Sequence, residues 1–288
     1  MIKKLVIFGV GLIGGSFALA LRQSSMVGEI VGVGRNWENL SAALGTNVID
    51  TAETNAANAL QGADVVMLAV PVGQMESVMQ EIAPHLQAHT IITDVGSTKQ
   101  DVIEAAKRHL PGHLARFVPG HPLAGSERSG VKAAAEDLFY GKNVIVTPLQ
   151  ENRGDAVHMV KELWQKCGAI VHEMTPQAHD ALFAAVSHLP HVLAFALVAD
   201  MAARPNASEL FHFAAGGFRD FTRIAGSSPE MWRDICLANR DALLAELDAY
   251  LAQVNQVREA IANGDGAELE RVFEIARTAR NALLAGGK

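Results

Sequence analysis

The segment Lys4-Leu5-Val6-Ile7-Phe8-Gly9-Val10-Gly11-Leu12-Ile13-Gly14-Gly15-Ser16 decides the fold. An apolar β-type run leads straight into G-x-G-x-x-G, and an amphipathic helical pattern with Phe17, Leu19 and Leu21 follows. Strand, glycine-rich turn and helix in that order form a dinucleotide-binding arrangement. Gly9 permits the tight turn, Gly11 lets backbone N–H groups approach a pyrophosphate, and Gly14 lets the helix pack close to the strand. The helix start at Leu12 and Ile13 carries partial positive charge towards phosphates.

Outward from this segment, β-type runs fall at 4–9, 30–34, 64–70, 90–95, 116–119, 143–147 and 170–174, with helical stretches between them. That alternation predicts a parallel, doubly wound, Rossmann-type α/β sheet. From Thr175 the strand signals vanish. Thr175-Pro176 and Ser228-Pro229 are helix starts, a capping hydroxyl before a proline at the first helical position. After Ser228 an apolar stripe runs through Trp232, Ile235, Cys236, Leu243, Leu247, Leu251, Val254, Val257 and Ile261, unusually long for one helix. Asn263-Gly264 breaks it, and a last helix is expected over about 267–284. The chain therefore divides into a dinucleotide-binding domain, 1–174, and an all-α substrate and dimerisation domain, 175–288. So long an apolar face in so small a helical domain points to a homodimer.

Composition narrows the function classes. With 24 Lys plus Arg against 31 Asp plus Glu, the net charge of −7 leaves no basic surplus for nucleic acid. The 49% hydrophobic content excludes wholesale disorder. The longest apolar stretches, such as 192–199, are too short to span a bilayer, so no membrane partner is expected. The N-terminal apolar run ends in the glycine motif, which argues against a signal peptide. Cys167 and Cys236 read as small buried hydrophobes, and a soluble, cytoplasmic protein is expected.

The end of the second strand selects the cofactor. An acid there would bind the ribose 2′-hydroxyl of NAD, but the sequence reads Val31-Gly32-Val33-Gly34-Arg35-Asn36. Arg35 suits a 2′-phosphate, so NADP is favoured over NAD; an arginine lying over the adenine would suit both. Val70-Pro71 and Asp94-Val95-Gly96-Ser97-Thr98-Lys99 end two further strands at the same cleft, where Ser97 and Thr98 are also candidate caps of the next helix.

A nicotinamide implies hydride transfer, and oxidising an alcohol needs a proton acceptor. His121, in Pro119-Gly120-His121-Pro122, follows a strand at this edge. His188 and His191 share a helix face that Pro190 would interrupt, freeing the carbonyl of Val186. Both also read as ordinary core histidines, and without a third ligand no metal site is expected. Phe218-Arg219-Asp220-Phe221-Thr222-Arg223 follows Gly216-Gly217 and offers two arginines for an anionic substrate; spacing does not choose between them.

These motifs, with Gly120-His121-Pro122-Leu123-Ala124-Gly125, Ser187-His188-Leu189-Pro190-His191 and Met231-Trp232-Arg233, resemble in order the prephenate/arogenate (cyclohexadienyl) dehydrogenases of tyrosine biosynthesis over nearly the whole chain. The resemblance implies that His121 is the catalytic histidine contacting the ring hydroxyl. It puts Ser97 between nicotinamide and substrate, and makes His191 a second site histidine. Arg223 becomes the carboxylate anchor, with Gly217, Ser126 and Glu127 also on the substrate side. It implies oxidative decarboxylation: C4 of the cyclohexadiene gives a hydride to the nicotinamide, its hydroxyl proton goes to His121, and loss of CO2 from C1 restores aromaticity. Gly34-Arg35 departs from the acid usual in NAD-dependent members. A β-hydroxyacid dehydrogenase would need a lysine on the interdomain helix, which is lacking here, and a non-catalytic NADP-binding sensor would need neither His121 nor Arg223.

Overall fold

The structure is a computed structural model, and it describes residues 1–125 and 130–286. Its strands are β1 (Ile2–Phe8), β2 (Val27–Val33), β3 (Thr51–Glu53), β4 (Val65–Leu68), β5 (Ile91–Asp94), β6 (Phe117–Val118), β7 (Gly120–Pro122), β8 (Asn143–Val146) and β9 (Ile170–Glu173). The helices up to the last strand are α1 (Leu12–Gln23), α2 (Trp37–Gly45), α3 (Ala56–Ala59), α4 (Val72–Ile82), α5 (Gln100–His109) and α6 (Gly154–Lys166). Those beyond it are α7 (Pro176–Phe183), α8 (Leu189–Ala202), α9 (Ala207–His212), α10 (Gly216–Thr222), α11 (Pro229–Ala238), α12 (Arg240–Asn263) and α13 (Gly266–Gly286). Two compact units emerge, Met1–Arg240 and Asp241–Lys288. The change from mixed to all-helical structure at residue 174 thus lies inside the first unit.

β1 to β6 form a parallel sheet in the order β3-β2-β1-β4-β5-β6. Alternate residues feed two cores. Leu5, Ile7, Ile30 and Met67 pack with Phe17, Leu21 and Trp164 on one face. Val6, Phe8, Val31 and Leu68 pack with Met75, Met79 and Ile103 on the other. Strands buried on both faces read as unbroken apolar runs, which is why β1, β4 and β5 are plain in the sequence. The register pairs Phe8 with both Val33 and Leu68, and Leu68 with Asp94. The carboxyl ends of β2, β1, β4 and β5 therefore form one row, and whatever follows each strand stands on one edge.

The single expected sheet is corrected: β7, β8 and β9 form a separate three-stranded sheet, with β7 antiparallel to β8. β3 and β7 carry no sequence signal, because three residues are too few to display a period and Gly-His-Pro is poor strand material. His121 accordingly lies within this short strand.

Beyond β9, Thr175 caps α7 by accepting from Ala178 N at 3.2 Å. A π-helical turn, Ala184–His188, joins α7 to α8, so Pro176–Ala202 is one helical run. One 18-residue window of this run has a mean hydropathy of 1.9, so by length and composition alone the run is long and apolar enough to cross a membrane, where the sequence reading expected only stretches too short to do so. Apolar residues on both sides of Ser187-His188-Leu189-Pro190-His191 join into one helix instead of two short stretches. The long stripe after Ser228 is also corrected. It is broken at Asn239, which ends α11 before α12 begins. In the second unit, Leu251, Val254 and Ile261 on α12 and Phe273 and Ile275 on α13 remain exposed.

Candidate active site

The β1–β4 switch point opens into a cleft of about 650 Å³ lined by Gly9, Gly11, Arg35, Val70, Pro71 and Gln74 among others. Gly9 has φ +94, and a Cβ there would stand 2.4 Å from the Ala69 carbonyl oxygen. At Gly14 a Cβ would meet the Gly9 oxygen at 2.4 Å, so α1 rides directly on the turn. At Gly11 a Cβ would meet nothing within 4 Å, leaving that side of the turn open to a ligand. Asn39 of α2 holds the turn by donating to the Val10 carbonyl at 2.7 Å, a contact that no sequence motif announces. No side chain caps α1 at Gly11, and its first turn has no acid. Leu12 and Ile13 open that helix half-buried. An uncapped helix start beside an open glycine is a donor set for a pyrophosphate, so these residues fit a dinucleotide. Arg35 lies exposed at the mouth, donating to Gln74 Oε1 at 3.0 Å. A Cβ at Gly34 would meet only Leu40 at 3.5 Å, so packing does not exclude an acid there.

The next strand ends build the catalytic corner. Asp94 closes β5, and its fully buried carboxylate forms an ion pair with the fully buried Lys99 ammonium. Asp94 also accepts from Gly96 N at 2.7 Å and Gly120 N at 3.2 Å, while Lys99 Nζ donates to the Gly120 carbonyl at 2.6 Å. Gly120, the residue before His121, is thus held through both its N–H and its carbonyl. His121 Nδ1 lies 2.9 Å from His179 Nε2, and His179 Nδ1 lies 2.8 Å from Asp180 Oδ1. Asp180 accepts from the backbone N–H groups of Lys99 and Gln100, each at 2.9 Å. Phe183 packs edge-on to His121, with ring centroids 4.9 Å apart. Burial, then the charges of His179, Lys99 and His188, push the His121 pKa well below the ordinary histidine value. Burial lowers His179 as well. For Asp180, hydrogen bonds from His179, Gln100 and Lys99 outweigh burial and hold it below the usual carboxylate range.

Neither Ser97 nor Thr98 caps α5. Asp180, reaching from α7, takes that role, because an ionised carboxylate is a stronger acceptor for two N–H groups than a hydroxyl. Ser97 lies half-buried in the loop between β5 and α5.

The π turn shapes the other wall, as π-bulges often do at functional sites. His188 is buried; its Nδ1 accepts from Asn239 Nδ2 at 3.1 Å, and the same amide donates to the Asp180 carbonyl oxygen at 2.8 Å. Burial drives the His188 pKa down to about 4. His191 Nδ1 donates to the Ser187 carbonyl at 2.8 Å, and its ring stacks on Trp232 at 3.6 Å. Burial lowers the His191 pKa, and the nearby positive charge of Arg223 lowers it further. The turn that Arg223 opens packs against α8, which carries His191. Arg223 starts a 3₁₀ turn after α10 and is exposed, as are Arg219 and Gly217 on α10. Ser126 and Glu127 lie outside the described residues. Among the described residues, no cluster of three metal-ligating side chains occurs.

His179, Asp180, Lys99 and Asn239 are the residues that sequence reading passed over. The adjacent His-Asp pair is the one faint signal, since its partner His121 lies 58 residues away.

Comparisons with known proteins agree over nearly the whole chain. Residues 17–173 match the family described as prephenate dehydrogenase, nucleotide-binding domain, and 175–275 match prephenate dehydrogenase, dimerization domain. A prephenate dehydrogenase of Bacillus subtilis is 40% identical over 98% of this chain and 76% of its own length. A cyclohexadienyl dehydrogenase of Zymomonas mobilis is 36% identical over 98% and 96%. The crystal structure of prephenate dehydrogenase from A. aeolicus, in complex with hydroxyphenyl propionate and NAD+, superposes with a TM-score of 0.92 at 36% identity, covering 98% of this chain and 99% of that one. The chain belongs to the prephenate dehydrogenase family.

Proposed function

We propose that this protein is an NAD(P)-dependent dehydrogenase that oxidatively decarboxylates prephenate, arogenate or both. The observation that carries the reading is the shared edge. A cleft fit for a dinucleotide and the clamped, neutral imidazole of His121 both follow carboxyl ends of one sheet, and Arg223 opens the turn packed against α8, which carries His191. When bound, the cofactor supplies the hydride acceptor. His121 takes the proton of the C4 hydroxyl, a role its lowered pKa suits by keeping the ring neutral before each turnover. Arg223 anchors a substrate carboxylate, with His191 held beside it by the Trp232 stack. Ser97, from the loop after β5, stands between cofactor and substrate, and Gly217 borders the substrate.

In this reading residues 1–174 bind the dinucleotide, and 175–288 complete the substrate site and pair two subunits. Arg35 selects NADP, supported by the absence of an acid at Gly34 where the packing has room for one. Exposed Leu182, Val186 and Leu197 along Pro176–Ala202 support a homodimer, because so apolar a helix needs cover. The free thiols of Cys167 and Cys236 accord with the cytoplasm. The test is a spectrophotometric assay with both substrates and both cofactors. Turnover of at least one pair is expected, and His121→Asn should lower kcat by about 10²–10⁴-fold. No turnover of any pair, or an unimpaired variant, refutes the reading.

A further inference from the structure

His121 is one of three groups in a row, and the other two have no role in the reaction as described so far. We infer that His179 and Asp180 are positioning residues that lock His121 with its proton on Nδ1 and a bare lone pair on Nε2. The inference rests on the proposed dehydrogenase reading for its purpose and on donor counting for its content. An ionised carboxylate can only accept. Asp180 already accepts two backbone N–H groups at the start of α5, whose positive end favours the charged form. Its contact at 2.8 Å therefore requires the proton of neutral His179 to lie on Nδ1. His179 Nε2 is then a lone pair, so the contact at 2.9 Å requires a proton on His121 Nδ1. Neutral His121 is left with Nε2 unprotonated, and that atom alone can take up the hydroxyl proton.

The burial of the row makes the lock firm. His179 and Asp180 are almost fully buried, and the Phe183 ring lies against both imidazoles, so neither ring can rotate to another partner. The titratable groups around the pair are Asp94 on β5, Lys99 in the loop after it, Asp180 on α7 and His188 in the π turn. On proton uptake the His121 imidazolium keeps its Nδ1–H bond to His179. The Asp180 carboxylate one ring further on offsets its charge, and the Nε2 proton later leaves to solvent. Without the carboxylate, His179 could carry its proton on either nitrogen, and the tautomer protonated on Nε2 would leave His121 aiming an N–H at the substrate.

The experiment is nitrogen NMR of the full chain labelled with 15N-histidine, in the presence of NADP near neutral pH, with His121→Asn assigning the signals. Wild type should show His121 protonated on Nδ1. In Asp180→Leu, which leaves His179 Nδ1–H without its acceptor, part of the His121 population should carry its proton on Nε2, and kcat should fall at least about tenfold with KM changed less than about threefold. Because Asp180 also caps α5, a second pair guards against misfolding. His179→Gln retains an acceptor for the His121 Nδ1–H and should keep kcat at least about tenfold above His179→Leu. A wild-type His121 carrying its proton on Nε2, or equal activity of the Gln and Leu variants, overturns the inference. The tautomer is read without substrate, so a protein that turned over neither substrate would refute the function while leaving the lock intact.

Discussion

The Lys99–Asp94 pair offers a sharp quantitative test, because both side chains are fully buried. Lys99→Met preserves the length and apolar stem and deletes only the ammonium. Asp94 would keep its two backbone donors, Gly96 N and Gly120 N, but would lose its counter-charge. Breaking a buried ion pair from one side costs about 3–5 kcal/mol. The Gly120 carbonyl would lose its Lys99 donor at 2.6 Å, adding about 1–3 kcal/mol. Local relaxation will recover part of that sum, so about 4–6 kcal/mol is expected. Against a total stability of about 5–15 kcal/mol, this brings the protein to the edge of unfolding. Asp94→Asn/Lys99→Met removes both charges and should be at least about 2 kcal/mol more stable than Lys99→Met alone. The assay is urea unfolding at one fixed protomer concentration, since self-association would contribute to the midpoint. A Lys99→Met penalty below about 1 kcal/mol, or a double variant less stable than the single one, would refute the account.

Three further outcomes are expected. Arg223→Ala should raise KM about 10- to 100-fold with a smaller effect on kcat, corresponding to about 1.5–3 kcal/mol for a hydrogen-bonded charge; an unchanged KM would move the anchor elsewhere, with Arg219 next. Arg35→Ala should weaken NADP far more than NAD, and Gly34→Asp, which the packing admits, should shift preference towards NAD; fluorescence titration with both cofactors decides, and equal losses contradict the assignment. Acid should destabilise the fold between about pH 6.5 and 4. His188 titrates near 4 when folded and near the ordinary histidine value when unfolded. The unfolded chain therefore binds the extra proton in that window, and stability present above it is lost as pH falls, by about 3 kcal/mol from this group. Burial lowers His121, His179 and His191 in the same direction. Urea midpoints from pH 7.5 to 4.5 should fall, and less steeply in His188→Gln; an equal slope would assign the loss to other groups.

The dinucleotide half and the places where chemistry gathers can be read from the linear order of residues. Strands buried on both faces must be apolar throughout, and a turn pressed against Ala69 must be glycine, so β1 and Gly9-Val10-Gly11 are legible one residue at a time. The capping threonine and serine before Pro176 and Pro229 are equally local. His121 and Arg223 could be singled out because each sits in a motif that a linear reading can follow. What surrounds them is set by contacts between parts of the chain far apart in order. Asp180 caps a helix 80 positions away in the chain, and Asn239 bonds a carbonyl 59 positions away. Lys99 looks like a loop residue until Asp94 and Gly120 close over it. Periodicity and propensity record which face of an element is buried, but they carry no information about which distant polar atom meets it. A buried donor or acceptor is satisfied by whatever the fold brings within about 3 Å, and that is a property of the folded chain alone.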